Sequence, residues 1–94
     1  MRKVMAAAIA VIAAATVAWA EPPAGAVSCS GCHPASARVA SPVPRLNGLD
    51  RAAIVRAMQE FRSGQRTGTV MDRIAKGFTD EEIQAIAAWY ATQR

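Results

Sequence analysis

Five consecutive residues, Cys29-Ser30-Gly31-Cys32-His33, constrain this chain more than any other feature. Two thiols three positions apart, and an imidazole on the next residue, are brought into one small volume whatever the rest of the fold does. The 94-residue sequence holds two cysteines and one histidine, and all three lie in this cluster. The spacing is C-x-x-C-H, in which two thioethers can fix the edge of a porphyrin while the histidine presents a ring nitrogen to its iron.

Other uses of the same residues explain less. A zinc site would need a fourth ligand, and the sequence has no further Cys or His. A thioredoxin-like redox pair expects a preceding strand in a βαβ context, and no strand-like alternation occurs here. A plain disulfide leaves His33 without a role. The expectation is therefore one covalent haem c, with Cys29 and Cys32 as thioethers and His33 as an axial ligand. An iron-bound histidine usually donates its other N–H to a carbonyl, and the loop around Pro44 is expected to supply one. No second histidine exists for the opposite face, so a methionine is expected there. Met58 sits on an apolar helical face between Ile54 and Phe61 and reads as core. Met71, at the end of a polar loop, is the expected second axial ligand. Arg45 or another arginine is expected near a haem propionate.

Residues 1–20 read as a secretory signal cleaved after Ala20. Arg2 and Lys3 precede an apolar run from Val4 to Ala18, and small residues flank Trp19 ahead of Glu21-Pro22-Pro23. The run is shorter than the roughly 20 residues of a membrane-spanning helix. This predicts export to the periplasm, no membrane anchor after cleavage, and a single haem domain over residues 21–94. Haem is joined to C-x-x-C-H outside the cytoplasm, so export and motif agree. A domain this short buries little apolar surface and usually needs a staple, which a covalent haem would supply. Formal charge is +4 for the whole chain and +2 for residues 21–94. The arginines from Arg38 to Arg73 form no run, which argues against nucleic-acid binding.

Along the domain, Val27 to His33 is expected to make one or two helical turns, stopped by Pro34. Ala35 to Asn47 reads as loop. Asp50 is placed to cap a helix from Arg51 to Arg62, whose Ile54, Val55, Met58 and Phe61 share a face. Ser63-Gly64 ends it, Gln65 to Val70 is loop, and Met71 to Lys76 is a short turn closed by Gly77. Thr79 and Glu82 form a capping box. The last helix carries Ile83, Ile86, Ala87 and Tyr90 as its buried stripe. The acidic residues Asp80, Glu81 and Glu82 are explained by capping and the helix dipole rather than by catalysis. The expectation is an all-α domain, with three or so helices around one haem.

The haem cluster, the Pro44-Arg45-Leu46-Asn47-Gly48 loop, a distal methionine and an amphipathic C-terminal helix resemble class I cytochromes c. Phe61-Arg62-Ser63-Gly64-Gln65-Arg66 and Thr69 to Asp80 are similar to the monohaem subunit of flavocytochrome c sulfide dehydrogenases. The resemblance implies His33 and Met71 as axial ligands, with Pro44 and Arg45 in the cofactor's surroundings. It also implies an electron-transfer protein rather than an enzyme, reduced by an FAD-containing dehydrogenase subunit and oxidised by a downstream cytochrome. Other members are free carriers or serve other periplasmic dehydrogenases. The chain departs from the family in its N-terminal helix, usually longer and carrying a glycine and an aromatic that cross the last helix. Only eight residues separate Ala20 from Cys29, none aromatic, so Trp89 or Tyr90 is expected to lack its usual mate. An open-site haem enzyme or gas sensor would require Met71 to be absent or labile.

Overall fold

The computed structural model describes residues 2–14 and 21–94. Residues 2–14 carry no helix or strand, and Val4, Met5, Ile9, Val11 and Ile12 are exposed. The expected cleavage point after Ala20 lies outside the described residues. No described helix is long and apolar enough to cross a membrane.

Four helices follow: α1 (Ala26–Cys29), α2 (Arg51–Ser63), α3 (Met71–Ala75) and α4 (Asp80–Thr92). No strand occurs among the described residues, so the class is all-α as expected. The two long helices start where the sequence places their caps. The Asp50 carboxylate accepts the Ala53 N–H at 3.1 Å, satisfying one of the donors that a helix start leaves orphaned. Thr79 and Glu82 bond reciprocally, at 3.1 and 3.0 Å. Gly64, at φ 83, closes α2 in the left-handed conformation that favours glycine.

Helix α2 packs against both α3 and α4, and α1 packs on α4. The expected stripe of α4 is buried in full: Ile83, Ile86, Ala87 and Tyr90. On α2 only Ile54 is buried, while Val55 and Met58 are half-buried against the cluster. Fully burying a side chain of this size contributes about 1.5–3 kcal/mol. Besides these, only Ala26 and Ala75 are buried among the described residues. The core is therefore small, and Val39, Val70 and Ile74 keep about half their surface in water.

The crossing that the short N-terminal segment puts in doubt is made by α1, which packs on α4. Gly25 and Ala26 make the contact with α4. A Cβ on Gly25 would stand 2.6 Å from Phe78 Cε1 and 3.6 Å from Ile86 Cδ1, and Gly25 has φ 86. Both space and backbone conformation therefore call for glycine there. Ala26 is completely buried beside it. Tyr90 finds a mate in backbone rather than in an aromatic ring: its hydroxyl donates to the Ala26 carbonyl at 2.5 Å. Trp89 meets Tyr90 edge-on, with ring centroids 4.9 Å apart.

Candidate functional site

The site is built on the end of α1. The α-helix stops at Cys29, four residues before the expected end at His33. The chain continues in tighter turns, in which the N–H groups of Ser30, Gly31 and Cys32 donate three residues back at 3.2 Å. The His33 N–H then reaches the Cys29 carbonyl at 3.0 Å. Such tightening satisfies the carbonyls that a helix end leaves free. It winds Cys29, Cys32 and His33 into a single coil, with Cys29 half-buried and Cys32 exposed.

His33 Nδ1 lies 2.5 Å from the Pro44 carbonyl oxygen. A carbonyl only accepts, so Nδ1 carries the proton and Nε2 presents its lone pair. This is the tautomer a metal-binding histidine needs, oriented by the partner that such histidines recurrently use.

The Pro44 loop is itself held at two points. Arg45 Nε donates to the Ala35 carbonyl at 2.6 Å. The Gly48 N–H donates to the Tyr90 carbonyl at 3.0 Å. Tyr90 thus grips both halves of the site, the Pro44 loop through its carbonyl and α1 through its hydroxyl. In the sequence Tyr90 reads first as core packing, with haem cover or a partner contact as alternatives. Its joint role was missed because the residues it ties, Ala26 and Gly48, lie far away along the chain.

Burial pushes the Cys29 thiol above its usual range. Attacking cysteines of disulfide oxidoreductases sit instead where the thiolate is favoured, as at a helix N-terminus. Cys29 is at a helix C-terminus, which disfavours the anion. The thiol-oxidoreductase reading finds no support in this placement.

The two methionines occupy different settings. Met58 packs half-buried against the core cluster. Met71 opens α3 at the end of the loop from Gln65 to Val70 and is also half-buried. Val70 and Ile74, beside it in sequence, are 51% and 43% exposed. Arg45 lines an open groove with Asn47, Gly48 and residues 91–94.

The residues present suit a haem on three observations. His33 has its Nε2 lone pair available, both cysteines are free thiols, and apolar surface beside Met71 lies open to be covered by a flat apolar group.

No family model matches the chain. It is 42% identical over 64 residues to the cytochrome subunit of sulfide dehydrogenase from Chlorobaculum tepidum, covering 68% of this chain and 58% of that protein. It is 35% identical over 95 residues to a thiosulfate dehydrogenase electron acceptor from Thiomonas intermedia, covering 97% of this chain and 44% of that protein. It is 33% identical over 70 residues to cytochrome c-554(548) of Halomonas halodenitrificans, covering 70% of this chain and 84% of that protein. The chain thus spans about half the length of the first two relatives and most of the third. Helices without strands, a C-x-x-C-H coil with its histidine oriented by a loop carbonyl, and a cytochrome matched along most of its length lead to one family: the chain belongs to the class I c-type cytochromes, which hold haem covalently.

Proposed function

We propose that this chain is a periplasmic electron-transfer protein carrying a single haem c. Cys29 and Cys32 hold the haem through thioethers, and His33 and Met71 are its axial ligands. The observation that carries this reading is the bond from His33 Nδ1 to the Pro44 carbonyl, which fixes the imidazole's tautomer and orientation. When bound, the haem supplies a one-electron couple, and a thioether opposite an imidazole raises its potential.

The chain's own residues keep that couple cheap to cycle. The Pro44 carbonyl holds the His33 ring in place. The Tyr90 hydroxyl and carbonyl hold α1 and the Pro44 loop together, so the proximal half of the site stays put in either oxidation state. Arg45, anchored through Nε, is assigned to a haem propionate. Met71 would supply a second iron ligand, where an open-site enzyme or gas sensor would need that ligand absent or labile. Residues 1–20 act as a cleaved export signal.

The electron donor is proposed to be an FAD-containing sulfide dehydrogenase subunit, with a downstream cytochrome as acceptor. Support comes from the relative named as the cytochrome subunit of sulfide dehydrogenase. A second donor, a thiosulfate dehydrogenase, is favoured by the two relatives named as that enzyme's electron acceptor. Service as a free carrier between such enzymes is the third arrangement. Spectroscopy and affinity capture from the native periplasm test the proposal together. A methionine-to-iron charge-transfer band in the ferric protein, and a co-purifying chain with bound FAD, are the expected results. Ready carbon monoxide binding without that band would overturn the closed site, and repeated recovery of the cytochrome alone would overturn the permanent flavoprotein partner.

A further inference from the structure

Between α2 and α3 the chain folds back over the last turn of α2. The Arg66 N–H donates to the Glu60 carbonyl at 3.1 Å. Arg66 Nε and Nη2 each lie 3.0 Å from Glu60 Oε2. The guanidinium carbon is 5.5 Å from the centroid of the Phe61 ring, within cation–π range. Arg66, pinned by Glu60, therefore braces one side of that ring.

Gly68 passes the same ring. A Cβ built on it would lie 3.0 Å from Phe61 Cε1, 3.4 Å from Met71 Cβ and 3.6 Å from Met71 N. Gly68 is not among the positive-φ glycines, which are Gly25, Gly48 and Gly64. Backbone conformation thus does not require glycine at 68; a Cβ there would fit tightly between Phe61 and Met71, which would have to give by a few tenths of an ångström. A methyl group there would push Phe61 against its Arg66 brace or lift the segment that carries Met71.

We infer that Gly68 is a positioning residue for Met71: its missing side chain lets the loop seat on the Arg66-braced Phe61 ring, and that seating sets how firmly the Met71 thioether is held at the iron. The inference rests on the assignment of Met71 as axial ligand and adds what governs its hold. Glu60, Phe61 and Arg66 form the fixed support, and Gly68 is the gauge.

The test uses the ferric holoprotein titrated with imidazole, which competes with the thioether for iron. Gly68→Ala is expected to raise imidazole affinity by about tenfold, the equivalent of about 1.4 kcal/mol of lost seating from one extra methyl group. It should also weaken the charge-transfer band. Phe61→Leu removes the atom the methyl meets, so imidazole affinity in the double variant Gly68→Ala/Phe61→Leu should return to that of Phe61→Leu alone. A purely structural role would lower the denaturation midpoint without changing imidazole affinity, and that result would overturn the inference. Met71→Ala separates the two levels of the argument. Loss of the band in Met71→Ala with unchanged imidazole affinity in Gly68→Ala refutes the gauge alone. Persistence of the band in Met71→Ala refutes the ligand assignment and the gauge with it. Should Gly68→Ala fold too poorly to titrate, Arg66→Ala removes the brace without adding volume; raised imidazole affinity supports the inference and wild-type affinity overturns it.

Discussion

Replacing Gly25 by alanine tests the shortened helix crossing, and its cost follows from two separate terms. The first is conformational. Gly25 sits at φ 86, where an L-residue with a Cβ is disfavoured by about 1 kcal/mol. The second is steric. The new methyl would stand 2.6 Å from Phe78 Cε1 and 3.3 Å from Phe78 Cζ, well inside contact distance, and overpacking of this kind costs about 1–3 kcal/mol. Together they predict a loss of about 2–4 kcal/mol, a large share of the roughly 5–15 kcal/mol that holds an ordinary domain folded. Urea denaturation of the ferric holoprotein, followed by far-ultraviolet circular dichroism, should show a lower midpoint at unchanged slope. A double-mutant cycle divides the two terms. Phe78→Leu removes both clashing ring atoms, so Gly25→Ala should cost at least about 1 kcal/mol less in that background. A loss below about 0.5 kcal/mol for Gly25→Ala, the level of an ordinary surface substitution, would refute the crossing.

Three further predictions concern other parts of the site. Tyr90→Phe removes the donor to the buried Ala26 carbonyl and should cost about 1–3 kcal/mol in the same assay. Ionisation of Tyr90 is pushed above the ordinary tyrosine range by burial first and by the neighbouring Cys29 second; in the holoprotein, a thioether at Cys29 leaves burial as the cause. Because the fold favours the neutral phenol, its contribution is whole below the unfolded value of about 10 and is lost as pH rises through the higher folded value. Wild-type stability should therefore fall with pH in that alkaline window, and Tyr90→Phe should fall less steeply. Met71→Ala should lower the midpoint potential measured by redox titration, whereas Met58→Ala, which truncates a half-buried side chain packed on the core, should mainly lower stability, by about 1–2 kcal/mol, below the cost of truncating a fully buried methionine. Thr79→Ala should cost about 1 kcal/mol by thermal denaturation, since it removes half of the capping box at the start of α4.

What the sequence disclosed was what local chemistry dictates. The Asp50 cap, the Thr79–Glu82 box and the buried stripe of α4 are each set by residues within a few positions of one another, and all three were legible. The contact of His33 with the Pro44 carbonyl was legible because a metal-binding histidine usually has such a partner and one nearby loop offered it. Gly25 against Phe78, and Tyr90 tied to both Ala26 and Gly48, were not. Those contacts join distant parts of the chain and leave no periodic mark, and a glycine chosen for space looks in sequence like any loop glycine. α1 ends at Cys29, before the limit that Pro34 sets, and the chain reaches His33 in tighter turns; a proline marks how far a helix can run, not where it tightens.

Covalent attachment through Cys29 and Cys32 is the central expectation. Mass spectrometry of the protein exported with a competent haem-maturation system, paired with its pyridine haemochrome spectrum, measures this in one preparation. A mass raised by one haem and a spectrum typical of two thioether links are expected, with loss of both in the Cys29→Ser/Cys32→Ser variant. A colourless protein at the mass of its bare polypeptide, or a haem that acid–acetone extracts, would contradict it.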